Sequence, residues 1–142
     1  MISTIAVFFG GGFGALVRYF ISKFFSQYYK GDLPVGTLFS NLISCLVVGV
    51  FLAFLSESKY LNQNTKLFII VGFCGGLSTF STFSLETIEL LKSGSYYWAI
   101  VNVALSILLC FGLLFFFYRK ICLLYTSPSP RDRSLSRMPS SA

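Results

Sequence analysis

Three short stretches of this chain place amides and hydroxyls among residues that are otherwise apolar. In Gly36–Cys45 (GTLFSNLISC), Thr37, Asn41 and Cys45 recur at every fourth residue and so share one helix face. In Gly72–Leu90 (GFCGGLSTFSTFSLETIEL), Gly75–Gly76 precede Ser78, Thr79, Ser81, Thr82 and Ser84, which interleave with Phe80 and Phe83. In the last apolar run, Asn102, Ser106 and Cys110 repeat the four-residue spacing. A polar group in hydrocarbon is costly, and its ordinary meaning is hydrogen bonding between helices. Two phenylalanines at i, i+3 are likewise ordinary core filling. Taken together, though, the stretches supply neutral donors beside phenyl rings, whose edges carry positive quadrupole charge. No carboxylate interrupts them before Glu86. A path lined this way suits a small anion.

Other chemistry is poorly served. The chain of 142 residues has no histidine and only five acids, Asp32, Glu57, Glu86, Glu89 and Asp132. Without histidine, neither a histidine metal site nor a nucleophile–base pair can be assembled. The four cysteines (Cys45, Cys74, Cys110, Cys122) form no CxxC pair, so a zinc site or disulfide framework is not indicated. The expectation is therefore not an enzyme. The net charge of +6 does not gather into a phosphate-binding face. Most basic residues stand singly at the ends of apolar runs, as headgroup anchors do.

The elements that must hold these polar groups follow from composition. Hydrophobic residues make up 55% and charged residues 11%, with mean hydropathy +0.76, too few charges to coat a soluble globule. Uncharged runs cover Met1–Val17 (continuing past Arg18 to Phe25), Val35–Leu55, Leu67–Leu85 and Tyr96–Tyr118. A helix needs about 20 apolar residues to cross about 30 Å of hydrocarbon, so each run predicts one span. The first lacks a basic n-region and is read as a span, not a cleaved signal. The connections Ser26–Pro34, Ser56–Thr65 and Lys92–Ser95 are short and polar. They make neighbouring helices antiparallel and leave function to the helices themselves.

Within the first span, Gly10 and Gly14 predict a close packing face, with Arg18 snorkelling to the interface in preference to lining a pore. In the third, the double glycine costs about 2 kcal/mol against alanine, which predicts a break there. Backbone freed at that depth must be buried or line a polar path, where its carbonyls can hold a cation. One membrane face receives Lys59, Lys66, Arg119 and Lys120, the other Lys23, Lys30 and Lys92. So weak a bias leaves two outcomes open: insertion in both orientations with antiparallel pairing, or one weakly specified topology. After Lys120 the composition shifts to serine, proline and arginine without periodicity. Residues 1–120 are expected to form one transmembrane domain. Residues 121–142 are read as a cloning or sequencing scar in preference to a disordered tail.

GGFGALVRYF, GTLFSN and GFCGGLSTFSTF resemble, in order and spacing, three signatures of the CrcB/Fluc fluoride channel family. The resemblance covers Met1 to about Lys120. It implies an all-α membrane protein with four transmembrane helices, the third broken at Gly75–Ser78, that exports fluoride passively as an antiparallel dual-topology dimer, either with itself as a homodimer or with a paired homologue. It further implies that Asn41 donates its amide to fluoride, that Phe80 and Phe83 line the pore, and that Ser81 and Thr82 lie beside them. Ser106 would belong to a polar track on the last helix. Gly75 and Ser78 would offer backbone carbonyls to a structural Na⁺ shared by both subunits. Ser78 stands where the family usually has threonine, and Asn102 where it often has tyrosine.

Two other classes compete. A small multidrug-type proton-coupled transporter is of similar size, but looks for a carboxylate in the first span, where this chain has Arg18 and no acid. A non-conducting assembly subunit would use small-residue and polar contacts alone. It leaves the Ser/Thr/Phe cluster unexplained.

Overall fold

The computed structural model describes the backbone of residues 1–55 and 62–125, and the side chains among them except 54–55 and 121–125. Lys59 and residues 126–142, both used in the sequence reading, lie outside the described residues. Within them the chain is helical: α1 (Ile2–Tyr28), α2 (Val35–Val50, prolonged by the wider turns of Phe51–Leu55), α3 (Gln63–Lys66), a π-type segment (Leu67–Cys74), α4 (Gly75–Leu77), α5 (Phe80–Lys92) and α6 (Tyr96–Tyr125). Four stretches are long and apolar enough to cross a membrane: Ile2–Tyr28, Val35–Ala53, Gln63–Lys92 and Tyr96–Lys120. They coincide with the four runs expected from composition, except that Met1 and residues 54–55 fall outside them. The backbone of α6 continues past Lys120 to Tyr125.

Each connection has local causes. Asn62 caps α3, its side chain accepting from the Asn64 N–H. The turn after α5 places Gly94 at φ +80°, the left-handed region that disfavours any side chain. Ser95 N–H then reaches back to the Leu90 carbonyl at 2.9 Å, so the turn to α6 takes only a few residues.

The first and third spans run parallel in direct backbone contact. Ser3 Oγ donates to Asn64 Oδ1 at 2.9 Å where both begin. Further along, Gly10 faces Phe68, Gly72 and Phe73, and Gly14 faces Phe73 and Leu77. A Cβ on Gly14 would run into the Phe73 carbonyl oxygen, which cannot swing aside as a side chain could. The expected packing face is thus present. Arg18 is half-buried and does not line the cavity around Asn41.

The third span departs from expectation in one detail. The sequence reading places the loss of helix at Gly75–Ser78. Gly75 instead has helical φ −66°, ψ −34°, while Ser78 (φ −79°, ψ 149°) and Thr79 (φ −151°, ψ 120°) are extended. The physical reason is packing: a Cβ on Gly76 would strike the Gly11 carbonyl oxygen. That glycine serves a helix–helix approach, not an unwound backbone.

Candidate functional site

The extended residues Ser78 and Thr79 leave backbone groups that the helix would otherwise use, and α2 takes up one of them. In a continuous helix Thr79 N–H would bond the Gly75 carbonyl. Here it donates to Asn41 Oδ1 on α2, at 2.8 Å. Because a backbone N–H can only donate, Asn41 must present its oxygen there, and its Nδ2 donors point elsewhere. One residue earlier, the Cys74 carbonyl accepts from Ser78 N–H at 2.9 Å, Ser78 Oγ at 2.9 Å and Ser44 Oγ at 3.0 Å. The second span therefore grips the third on both sides of the interruption.

Asn41 opens onto a cavity of about 300 Å³. Its walls are Asn41 and Cys45 from α2, Ser78 and Thr79 from the interruption, Phe80 and Phe83 from α5, and Ser106, Ile107, Cys110 and Phe111 from α6. Phe80 and Phe83 have ring centroids 5.9 Å apart with planes tilted by 41°. Ser106 is 9% exposed, and its buried Oγ has no hydrogen-bond partner among the described residues. A buried, unpaired hydroxyl is uncommon and marks a place where a further polar species would be stabilised. Among the described residues, no acidic or basic side chain stands in the wall. The arrangement can offer amide and hydroxyl donors to an anion, with phenyl rings beside them, and no fixed charge to trap it.

Four of the six pore residues expected from sequence (Asn41, Phe80, Phe83 and Ser106) meet in this one cavity. Ser81 and Thr82 do not line it: their hydroxyls pair with Thr79 Oγ1 at 3.2 and 3.3 Å. Residues 5–118 match the family described as CrcB-like protein, Camphor Resistance (CrcB). The chain belongs to the CrcB family. Among its curated CrcB-type relatives is the "Fluoride-specific ion channel FluC" of an Enterobacter species, 43% identical over 109 residues, which are 77% of this chain and 85% of that protein. The protein of the same name from Serratia proteamaculans is 43% identical over 105 residues, 74% of this chain and 82% of its own. That from Salmonella arizonae is 38% identical over 109 residues, again 77% and 85%. With four apolar spans, this CrcB chain is a multi-pass protein of the cell membrane.

Several contacts of this CrcB protein were not foreseen. Thr37 Oγ1 donates to Glu86 Oε1 at 2.7 Å, joining the α2 stripe to α5. The other oxygen, Oε2, is buried without a partner among the described residues, and the residue borders a second cavity of about 340 Å³ with Ser22, Asp32 and Thr37. Thr37 stands on the Asn41 stripe and Glu86 is the first acid after the hydroxyl-rich stretch, but nothing in one sequence aligns two helices in register. Asn102, buried at 1% exposure, stands on the Ser106 stripe yet turns away from the cavity. Its Nδ2 donates to Thr87 Oγ1 at 2.9 Å, and Thr87 Oγ1 donates to the Phe83 carbonyl at 2.8 Å.

Proposed function

We propose that the chain is the subunit of a fluoride-selective channel that lets fluoride leave the cell down its gradient and so relieves fluoride toxicity. The observation that carries this reading is the cavity that Asn41 and Ser106 share with Phe80 and Phe83, free of fixed charge. The names of the relatives point the same way. Fluoride is small and strongly hydrated, so a path must replace water's hydrogen bonds without holding the ion. Neutral donors in series do this better than a cation, since exit requires weak binding. Asn41 Nδ2 and Ser106 Oγ serve as donors, and the phenyl edges add a positive rim. Ser81 and Thr82 act by orienting Thr79 at the cavity wall. Discrimination against chloride follows from a constriction that only the smaller anion fills. The reading is non-enzymatic, and neither the multidrug-type transporter nor the assembly subunit draws support from the family match.

The assembly belongs to the same proposal. Phe80 is 81% exposed on the single chain and Gly75 is exposed beside it, so a second copy that covers them would complete the walls. An antiparallel homodimer fits the weak positive-inside bias. The Gly75 carbonyl has lost its Thr79 donor to Asn41, which fits an oxygen available to a cation. Gly75 and Ser78 would hold Na⁺ by their carbonyls, and the ion would supply positive charge that ties two copies together. Fluoride efflux from liposomes that contain only this purified chain tests the function. Fluoride flux with chloride excluded is the expected result. Equal rates, no flux, or proton-driven export of a lipophilic cation instead would reject it.

A further inference from the structure

Two thiols line the same cavity, and fluoride conduction gives them no role. Cys45 stands one turn beyond Asn41 on α2, and Cys110 one turn beyond Ser106 on α6. Both line the same cavity of about 300 Å³, and both are free. As a donor an S–H is weak, so a hydroxyl or amide would serve an anion better at either position. What two sulfurs in one cavity do well is bind a soft cation.

The number of donors decides which cation. Among the described residues, no group of three or more His, Cys, Asp or Glu could hold a metal, so the four donors that zinc prefers are missing. A d¹⁰ ion that is satisfied by two collinear sulfurs needs nothing more. We infer that Cys45 and Cys110 form a two-sulfur site for a linear thiophilic cation, Hg²⁺ being the best matched, and that filling it closes the anion path. Charge favours the divalent ion. Mercuric chloride and two thiols give a bis-thiolate with release of two protons and two chlorides. Two S–H and two Hg–Cl bonds break, two Hg–S bonds form, and no electron changes hands. The product is neutral, whereas Ag⁺ or Cu⁺ on two thiolates would leave a net negative charge inside the membrane. Mercuric chloride is itself uncharged and can enter an apolar cavity. Closure follows from position, because the bridge would lie a turn from both Asn41 and Ser106. That second half rests on the channel reading; the metal site does not.

Intact-mass measurement separates the two. The full purified chain is loaded with equimolar mercuric chloride and washed with excess monothiol, which strips mercury from single cysteines. The expected result is one retained mercury with two protons displaced. Retention should vanish in Cys45→Ser and in Cys110→Ser, and persist in Cys74→Ser. Alanine versions of the first two, checked by size exclusion, guard against a misfolded serine variant. Mercury lost by the parent chain, kept by either single variant, or lost equally in Cys74→Ser overturns the site. In liposomes, mercury should cut fluoride flux about tenfold or more, and a dithiol should restore it. Retained mercury with unchanged flux overturns the closure and leaves the site standing. A chain with no fluoride flux at all sinks the channel reading, and the mass result still decides the site.

Discussion

Asn41→Asp tests whether the amide serves the anion or only the fold. The substitution keeps size and keeps an oxygen for Thr79 N–H, which now sits at 2.8 Å from Oδ1. That hydrogen bond should strengthen, because a charged acceptor makes a stronger one. What changes is the other end of the side chain, where two N–H donors become an acceptor oxygen bearing charge. A unit charge about 4 Å from fluoride costs about 4 kcal/mol at an effective dielectric near 20. At about 1.4 kcal/mol per decade, flux should fall by about three orders of magnitude. Asn41→Ala is the companion: it removes the acceptor, strands the Thr79 N–H and should cost about 1–3 kcal/mol of stability. Fluoride efflux by ion electrode and thermal unfolding of the purified protein read the two effects separately. If Asn41→Asp conducts within about threefold of the parent chain, the donor argument is wrong and Asn41 only holds two spans together.

Gly14→Leu should abolish purification of a folded protein, since its side chain meets the Phe73 carbonyl, whereas Gly12→Ala, with open space around it, should be tolerated or slightly stabilising in a melting assay. Gly75→Val should weaken Na⁺ dependence and fluoride flux; Ser78→Ala should cost only about 1 kcal/mol, because the Cys74 carbonyl keeps two other donors. Should Ser78→Ala abolish flux while Gly75→Val is silent, the cation is held by side chains and not by carbonyls. Truncation after Lys120 should leave flux and oligomeric state unchanged, and a large loss of either would show that the tail participates.

The spans were legible because each carries an apolar run about as long as the hydrocarbon is thick. The glycine face was legible because Gly10 and Gly14 fall one turn apart. Asn41, Phe80, Phe83 and Ser106 could be picked out because polar or aromatic residues at that depth need a reason. Pairings between spans were not legible. Thr37 and Glu86, or Asn102 and Thr87, meet only once the helices have a rotation and a register, which the periodicity of one helix cannot supply. The interruption starts only at Ser78, the last residue of the expected break, for a similar reason. Helix propensity identifies Gly75–Gly76 as weak, yet a close neighbour at Gly11 keeps Gly76 helical. Asn41 then captures the N–H of Thr79 instead.

The backbone seam between the first and third spans limits how this protein can move. Helices slide past one another when side chains at their contact can change rotamer and absorb the shift. Where Gly10, Gly14 and Gly76 touch carbonyls and Cα atoms directly, nothing at the contact can rearrange. Those two spans must travel as a single plank. The second and fourth spans meet differently: the closest group to Gly49 is the Phe117 ring, which turns on two torsions. Any widening or narrowing of the cavity therefore falls to the α2–α6 side, the side that carries Cys45, Ser106 and Cys110.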